Sequence, residues 1–72
     1  MTKEQFLNDM TEILDQEETV SMDAQLSTIE EWDSLGALMF QSKMLERTGK
    51  KIPTGDVKEA ETVLDLYKLV QN

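Results

Sequence analysis

Residues 33–53 read DSLGALMFQSKMLERTGKKIP, and this stretch carries both a start signal and a stop signal for a helix. Asp33 precedes a run of helix-forming residues and can accept a backbone N–H as the N-cap. Gly49 is a natural C-cap, and Pro53 prevents the helix from continuing. We therefore predict a helix over residues 34–48. Its expected buried side consists of Leu35, Leu38, Met39, Met44 and Leu45, with Ala37 and Phe40 on a flank.

Two further strong helices are predicted, over residues 2–14 and over residues 61–70, because each stretch combines a capping pair with apolar residues at helical spacing. The capping pairs are Thr2 with Gln5 and Thr62 with Asp65. The inward stripes are Phe6, Leu7, Met10, Ile13 and Leu14 in the first helix, and Val63, Leu66, Tyr67 and Val70 in the last.

The connection over residues 15–33 lacks sustained periodicity and is long for a small domain, which favours a loop with a role of its own. Its spaced apolar residues predict that it packs onto the core, and LSTIEEW is compatible with a short helical turn. These residues are Val20, Met22, Leu26, Ile29 and Trp32. Residues 54–58 are expected to form at most a short helical turn. The resulting fold class is all-α: a small four-helix bundle of three main helices and one short one, with residues 1–72 as a single domain.

Composition narrows the chemistry that the chain can perform. It contains no cysteine and no histidine, which leaves no disulfide, no thiol nucleophile, no imidazole base and no soft metal ligand. So short a chain can hardly enclose a small-molecule pocket. We therefore expect a protein that is not an enzyme and that has no metal site. The absence of a leader or membrane-spanning pattern suggests a cytoplasmic protein without membrane insertion, and we expect a monomer.

The net charge of −8 argues against nucleic acid and anionic membranes as partners. Residues 1–33 hold ten acidic residues and Lys3 as their single base. A partner steered by charge should therefore bring a basic surface to the first half of the chain. The simpler alternative is that most of these charges only solvate the surface.

Ser34 lies between the predicted cap and the apolar run of the helix. If Asp33 makes the cap, Ser34 is the first helical residue and its hydroxyl is spare, next to the positive end of the helix dipole. Leu35 is expected to turn inward, and Gly36 to leave room beside Ser34 for a ligand arm or an enzyme. Ordinary helix capping remains the alternative, since an Asp-Ser pair before a helix is common.

The stretches EWDSLGALMF, GKKIP and AETVLDLYKLV together resemble the acyl carrier and peptidyl carrier protein family over essentially the whole chain. The resemblance implies that a phosphopantetheinyl transferase attaches 4′-phosphopantetheine from coenzyme A to Ser34. The thiol of that arm then holds an acyl or aminoacyl group as a thioester. Asp33 would cap the helix and help the transferase to hold its metal ion, with Leu35 and Gly36 completing the attachment site. Further partners would be a loading ligase and a downstream transferase or synthase.

One departure from the family pattern bears on the pathway. Carriers of primary fatty acid synthesis usually have acidic residues just after the serine, where this chain has Gly36, Ala37, Leu38 and Met39. The sequence is closer to specialised carriers that serve lipid or secondary metabolite biosynthesis, and the cargo stays open. The alternative function is an unmodified acidic helical adaptor that binds a basic protein through residues 1–33.

Overall fold

The computed structural model describes residues 2–71 and contains four α-helices in that range. They are α1 (Lys3–Ile13), α2 (Ser34–Thr48), α3 (Thr54–Glu59) and α4 (Val63–Gln71), with one 3₁₀ turn at Leu26–Thr28. Residues 2–71 contain no β-strand, only one isolated antiparallel bridge between Gln25 and Thr62. None of the helices in that range has the length and apolar character needed to cross a membrane. The predicted all-α four-helix bundle is confirmed.

The helix ends lie where local sequence signals place them. The Thr2 hydroxyl accepts the Gln5 N–H, and the Gln5 side chain accepts the Thr2 N–H in return, as in a capping box. Gly49 ends α2 in the left-handed conformation with φ 71°, and its N–H donates to the carbonyl of Leu45. That conformation is strained for residues with a Cβ, which explains why a glycine occupies the position.

The core forms where α1, α2 and α4 meet, with the 3₁₀ turn, α3 and the segment before α3 closing its sides. Phe6 lies at its centre and makes edge-to-face contacts with Phe40 at 6.4 Å and with Tyr67 at 5.1 Å. The buried apolar residues are Phe6, Met10, Ile13, Leu14, Leu26, Phe40, Met44, Ile52, Val57, Val63, Leu66 and Val70. The inward stripes predicted for the first and last helices are confirmed, with Leu7 and Tyr67 at the half-buried edge.

The buried side predicted for the second helix is wrong except at Met44. The side that packs against the core consists of Gly36, Phe40 and Met44. The expected inward residues instead face solvent: Leu35 is 63% exposed, Leu38 57%, Met39 43% and Leu45 47%. Apolar residues occur on nearly every side of this helix, so spacing alone does not select one. Phe40 determines which side of α2 is buried, because its ring packs between those of Phe6 and Trp32.

The long connection between α1 and α2 is hydrogen-bonded to α1 and to the start of α4. The Val20 N–H donates to the hydroxyl of Thr11 on α1. Further along, the carbonyls of Met22 and Ala24 accept the N–H groups of Leu64 and Val63 at the start of α4. Leu26 is buried within the 3₁₀ turn. The prediction that this loop packs onto the core and contains a helical turn is confirmed.

Candidate functional site

Asp33 caps the N-terminus of α2. Its Oδ1 accepts the N–H of Gly36 at 2.9 Å, and its carbonyl oxygen accepts the N–H of Ala37 at 2.9 Å. The backbone of Asp33 is extended, as an N-cap requires. The prediction that Asp33 caps this helix is confirmed, and Ser34 is its first residue.

Ser34 is exposed at this helix end. Its hydroxyl has no hydrogen-bond partner within residues 2–71. In the same part of the chain, the backbone N–H groups of Ser34 and Leu35 have no partner either. The first turn of α2 contains no acidic side chain. The site therefore combines a free hydroxyl with two free N–H donors at the positive end of a helix dipole.

The N-terminus of α4 differs because every N–H of its first turn has a partner. Loop carbonyls accept the N–H groups of Val63 and Leu64, and the Thr62 hydroxyl accepts that of Asp65 at 3.3 Å. The Asp65 carboxylate in turn accepts the N–H groups of Glu61 and Thr62. These bonds, the one from Glu61 first, lower the pKa of Asp65 below its ordinary value. The N–H groups at this helix end are all bonded within the protein. Among the helices in residues 2–71, α2 is the one that begins with a serine and has unbonded N–H groups.

Gly36 has a different role from the one expected from the sequence. It is buried, and a Cβ built on it would lie 2.5 Å from the carbonyl oxygen of Glu31. The missing side chain therefore lets the end of the loop approach α2, and the Glu31 carbonyl occupies the space that a Cβ would take. The signal for this contact was a glycine inside a helix, which costs about 1 kcal/mol relative to alanine and so implies a close approach.

The position of Leu35 also differs from the prediction. Leu35 was expected to turn inward, but it lies in the wall of an open groove of about 380 Å³ between the end of α1 and the start of α2. The residues that line this groove are Glu12, Ile13, Asp15, Glu31, Asp33, Leu35, Gly36 and Met39. An exposed apolar side chain directly after Ser34 is available to whatever molecule approaches that hydroxyl.

The reactive groups near the start of α2 are hydroxyl and carboxylate groups. The chain supplies no thiol and no imidazole, and within residues 2–71 no set of three or more acidic side chains converges to hold a metal ion. The exposed hydroxyl of Ser34 lies at the capped end of α2. Neither the known protein families, the curated proteins nor the solved structures include a match to this chain.

Proposed function

We propose that the chain is a carrier protein that holds an acyl or aminoacyl group on a 4′-phosphopantetheine arm attached to Ser34. The observation that carries this proposal is the exposed Ser34 hydroxyl, which stands without a partner in residues 2–71 while Asp33 makes the helix cap. A serine that served only as the cap would accept a backbone N–H with its hydroxyl oxygen, and Ser34 accepts none within residues 2–71.

The residues at the start of α2 fit a phosphodiester. The free N–H groups of Ser34 and Leu35 and the positive end of the helix dipole favour a negative charge beside the hydroxyl. The first turn of α2 contains no acidic side chain, and the adjacent carboxylate of Asp33 accepts the Gly36 N–H. When bound, the arm supplies a terminal thiol, which the chain itself lacks because it has no cysteine.

Ser34 and Asp33 have different roles in this proposal. Oγ of Ser34 forms the new bond to the phosphorus of coenzyme A that carries the pantetheine. The bond from that phosphorus to the nucleotide half of coenzyme A breaks, and the serine proton passes to the transferase. Asp33 holds the helix end through Gly36, and the second oxygen of its carboxylate is available to the metal ion of the transferase.

The same surface favours a specialised carrier over one of primary fatty acid synthesis. Gly36, Ala37, Leu38 and Met39 follow Ser34 where an acidic recognition helix would carry carboxylates. The expected partners are a phosphopantetheinyl transferase, a ligase that loads the cargo, and a transferase or synthase that takes it. The proposed setting is cytoplasmic lipid or secondary metabolite biosynthesis.

Intact-mass measurement after incubation with coenzyme A and a broad-specificity transferase tests the proposal. The natural chain is expected to gain the mass of one 4′-phosphopantetheine group, and Ser34→Ala to gain none. Ser42→Ala is the matched control, because it removes another exposed hydroxyl from the same helix and should leave the modification intact. An unmodified natural chain, or modification that survives Ser34→Ala, would overturn the proposal.

The acidic adaptor remains a second candidate because nine of the ten acids in residues 1–33 are exposed, all except Asp9. Glu17, Glu18, Glu30 and Glu31 all face solvent on the long connection and could meet a basic protein. This function requires no modification, so a strain carrying Ser34→Ala should behave normally. Charge reversal at the four glutamates should then abolish binding of the partner.

A further inference from the structure

Asp9 is a charged residue on the core side of α1. Phe6 and Ile13, three residues before it and four after, lie on the same side of the helix and are buried. The Asp9 side chain is 4% exposed, and its Oδ2 has no hydrogen-bond partner within residues 2–71. Its other oxygen, Oδ1, accepts a hydrogen bond from Nη2 of Arg47 at 3.0 Å. A carboxylate in this position is costly, because burial removes its contacts with water and only one of its oxygens is compensated.

The buried carboxylate makes the packing sensitive to which residue faces it. Removing the cation of such a pair leaves an uncompensated charge, which is strongly destabilising. Replacing both partners by apolar residues of similar shape is often neutral or stabilising instead. Asp9 therefore penalises any arrangement of the helices that does not bring a cation to it, and in the observed arrangement that cation is Arg47 of α2.

The helix that supplies this cation has more than one side that could be buried. At 100° per residue, its exposed large apolar residues centre on the side roughly opposite to Phe40. Burying that side would also remove apolar surface from water, so the hydrophobic effect alone separates the two packings poorly. The exposed residues are Leu35, Leu38, Met39 and Leu45.

Arg47 lies on the side of α2 that faces the core. It follows Phe40 by about two turns, so the directions of the two residues from the helix axis differ by only about 20°. Rotating α2 by roughly half a turn would bury Leu38 in place of Phe40, direct Arg47 away from α1 and leave Asp9 without its cation. The same rotation would bring Glu46, which is now exposed, towards α1 and would add a second carboxylate on that side.

We propose that the ion pair between Asp9 and Arg47 selects the rotation of α2 about its own axis, by disfavouring packings in which the side opposite to Phe40 faces α1. Phe40 favours the observed packing through its ring contacts, and Asp9 acts against the alternative. The pair also fixes the direction of Ser34, because Ser34 is the first residue of the same helix. This inference holds whether or not Ser34 carries a group.

Asp9→Leu with Arg47→Met tests the inference, because leucine branches at the same carbon as aspartate and methionine keeps an unbranched stem. The double variant should unfold at a denaturant concentration no lower than that of the natural chain. It should nevertheless show a second set of amide NMR signals from α2, at about 10% of the total intensity or more. NOEs from Phe6 to Phe40 identify the observed packing, and NOEs from Phe6 to Leu38 identify the rotated one. The natural chain should show only the first.

Asp9→Leu alone is the second variant, because Arg47 is 48% exposed and can turn to water without leaving a buried charge. It should show the same second packing, and it decides the question if the double variant does not fold. Glu12→Leu with Lys43→Met is the control. It removes an ion pair between the same two helices whose carboxylate is 72% exposed, and it should keep a single packing.

Three results would overturn the proposal: a single packing in whichever Asp9 variants fold, a second packing in the control as well, or failure of both Asp9 variants to fold. The last would mean that the pair is needed for folding itself and does not select between packings. The chain is unmodified throughout, so these results and the mass test of the carrier function are independent of one another.

Discussion

The carbonyl oxygen of Glu31 lies so close to Gly36 that a Cβ on the glycine would be 2.5 Å from it. This contact joins the last turn of the long loop to the first turn of α2. It brings Asp33 into position to accept the Gly36 N–H, and Ser34 follows directly on the exposed side. The placement of the candidate attachment site therefore depends on a backbone-to-backbone approach that only glycine permits.

Gly36→Ala should destabilise the protein by about 1–3 kcal/mol, because the added methyl group must displace the backbone of Glu31. Gly55→Ala is the matched control, since a Cβ at Gly55 meets nothing within 4 Å. The control should be neutral or slightly stabilising, as alanine favours a helix. Denaturant unfolding of both variants measures the difference. Equal stability of the two would show that the approach of Glu31 is not tight.

Two substitutions at Asp33 separate its capping role from its charge. Asp33→Ala removes the acceptor of the Gly36 N–H and should cost about 0.5–2 kcal/mol. Asp33→Asn retains an oxygen acceptor and should remain nearly as stable. If the proposed transferase uses the carboxylate to hold a metal ion, the asparagine variant should nevertheless be modified slowly. Thermal melting and mass spectrometry together check this, and a large loss of stability in Asp33→Asn would contradict it.

The ion pair between Asp9 and Arg47 should contribute more to stability than the pair between Glu12 and Lys43. Asp9 is buried, Arg47 Nη2 lies 3.0 Å from its Oδ1, and its Oδ2 has no partner within residues 2–71. Arg47→Ala leaves a buried carboxylate uncompensated and should cost about 1–3 kcal/mol. Lys43→Ala breaks a more exposed pair and should cost at most about 1 kcal/mol.

A further substitution identifies the cause of that loss. Asp9→Asn combined with Arg47→Ala should be less destabilised than Arg47→Ala alone, because the unpaired buried charge is gone. Chemical denaturation of the three variants measures this coupling. A double variant that simply adds the two losses would mean that packing of the arginine stem, and not charge, accounts for the effect.

Lowering the pH should weaken the hydrogen bonds that the Asp65 carboxylate accepts at the start of α4. Its folded pKa is lowered, chiefly by the backbone hydrogen bond from Glu61 and then by that from Thr62. The contribution of a carboxylate with a lowered pKa is fully present above its unfolded pKa and is lost as the pH falls through the folded value. The stability difference between the natural chain and Asp65→Asn should therefore be constant above about pH 5 and shrink below the ordinary aspartate pKa of 3.8.

Denaturant unfolding between about pH 3 and pH 6 measures this difference. Asp56→Asn controls for the change in net charge, because it removes one charge from an exposed position on α3. A stability difference for Asp65→Asn that grows as the pH falls would have the wrong sign for a lowered pKa and would refute the assignment.

Much of the candidate site follows from local sequence. The cap at Asp33, the position of Ser34 as the first helical residue and the stop at Gly49 depend on contacts within a few residues, and all three are present in the structure. The inward orientation expected of Leu35 was wrong, and the sequence did not predict the contact of Gly36 with the Glu31 carbonyl. Both depend on what packs against α2 from elsewhere in the chain, which spacing within the helix does not encode.

The sequence by itself determined where the helices begin and end, because capping boxes, a left-handed glycine and a proline act through bonds between near neighbours. Only the tertiary structure decided which side of α2 is buried. Apolar residues surround that helix, and the ring of Phe40 gains its contacts from Phe6 and Trp32, which lie on other segments. The tertiary structure alone also brings Met22 and Ala24 to the start of α4. Contacts between distant parts of a chain depend on how its faces fit together in space, and no local pattern specifies that fit.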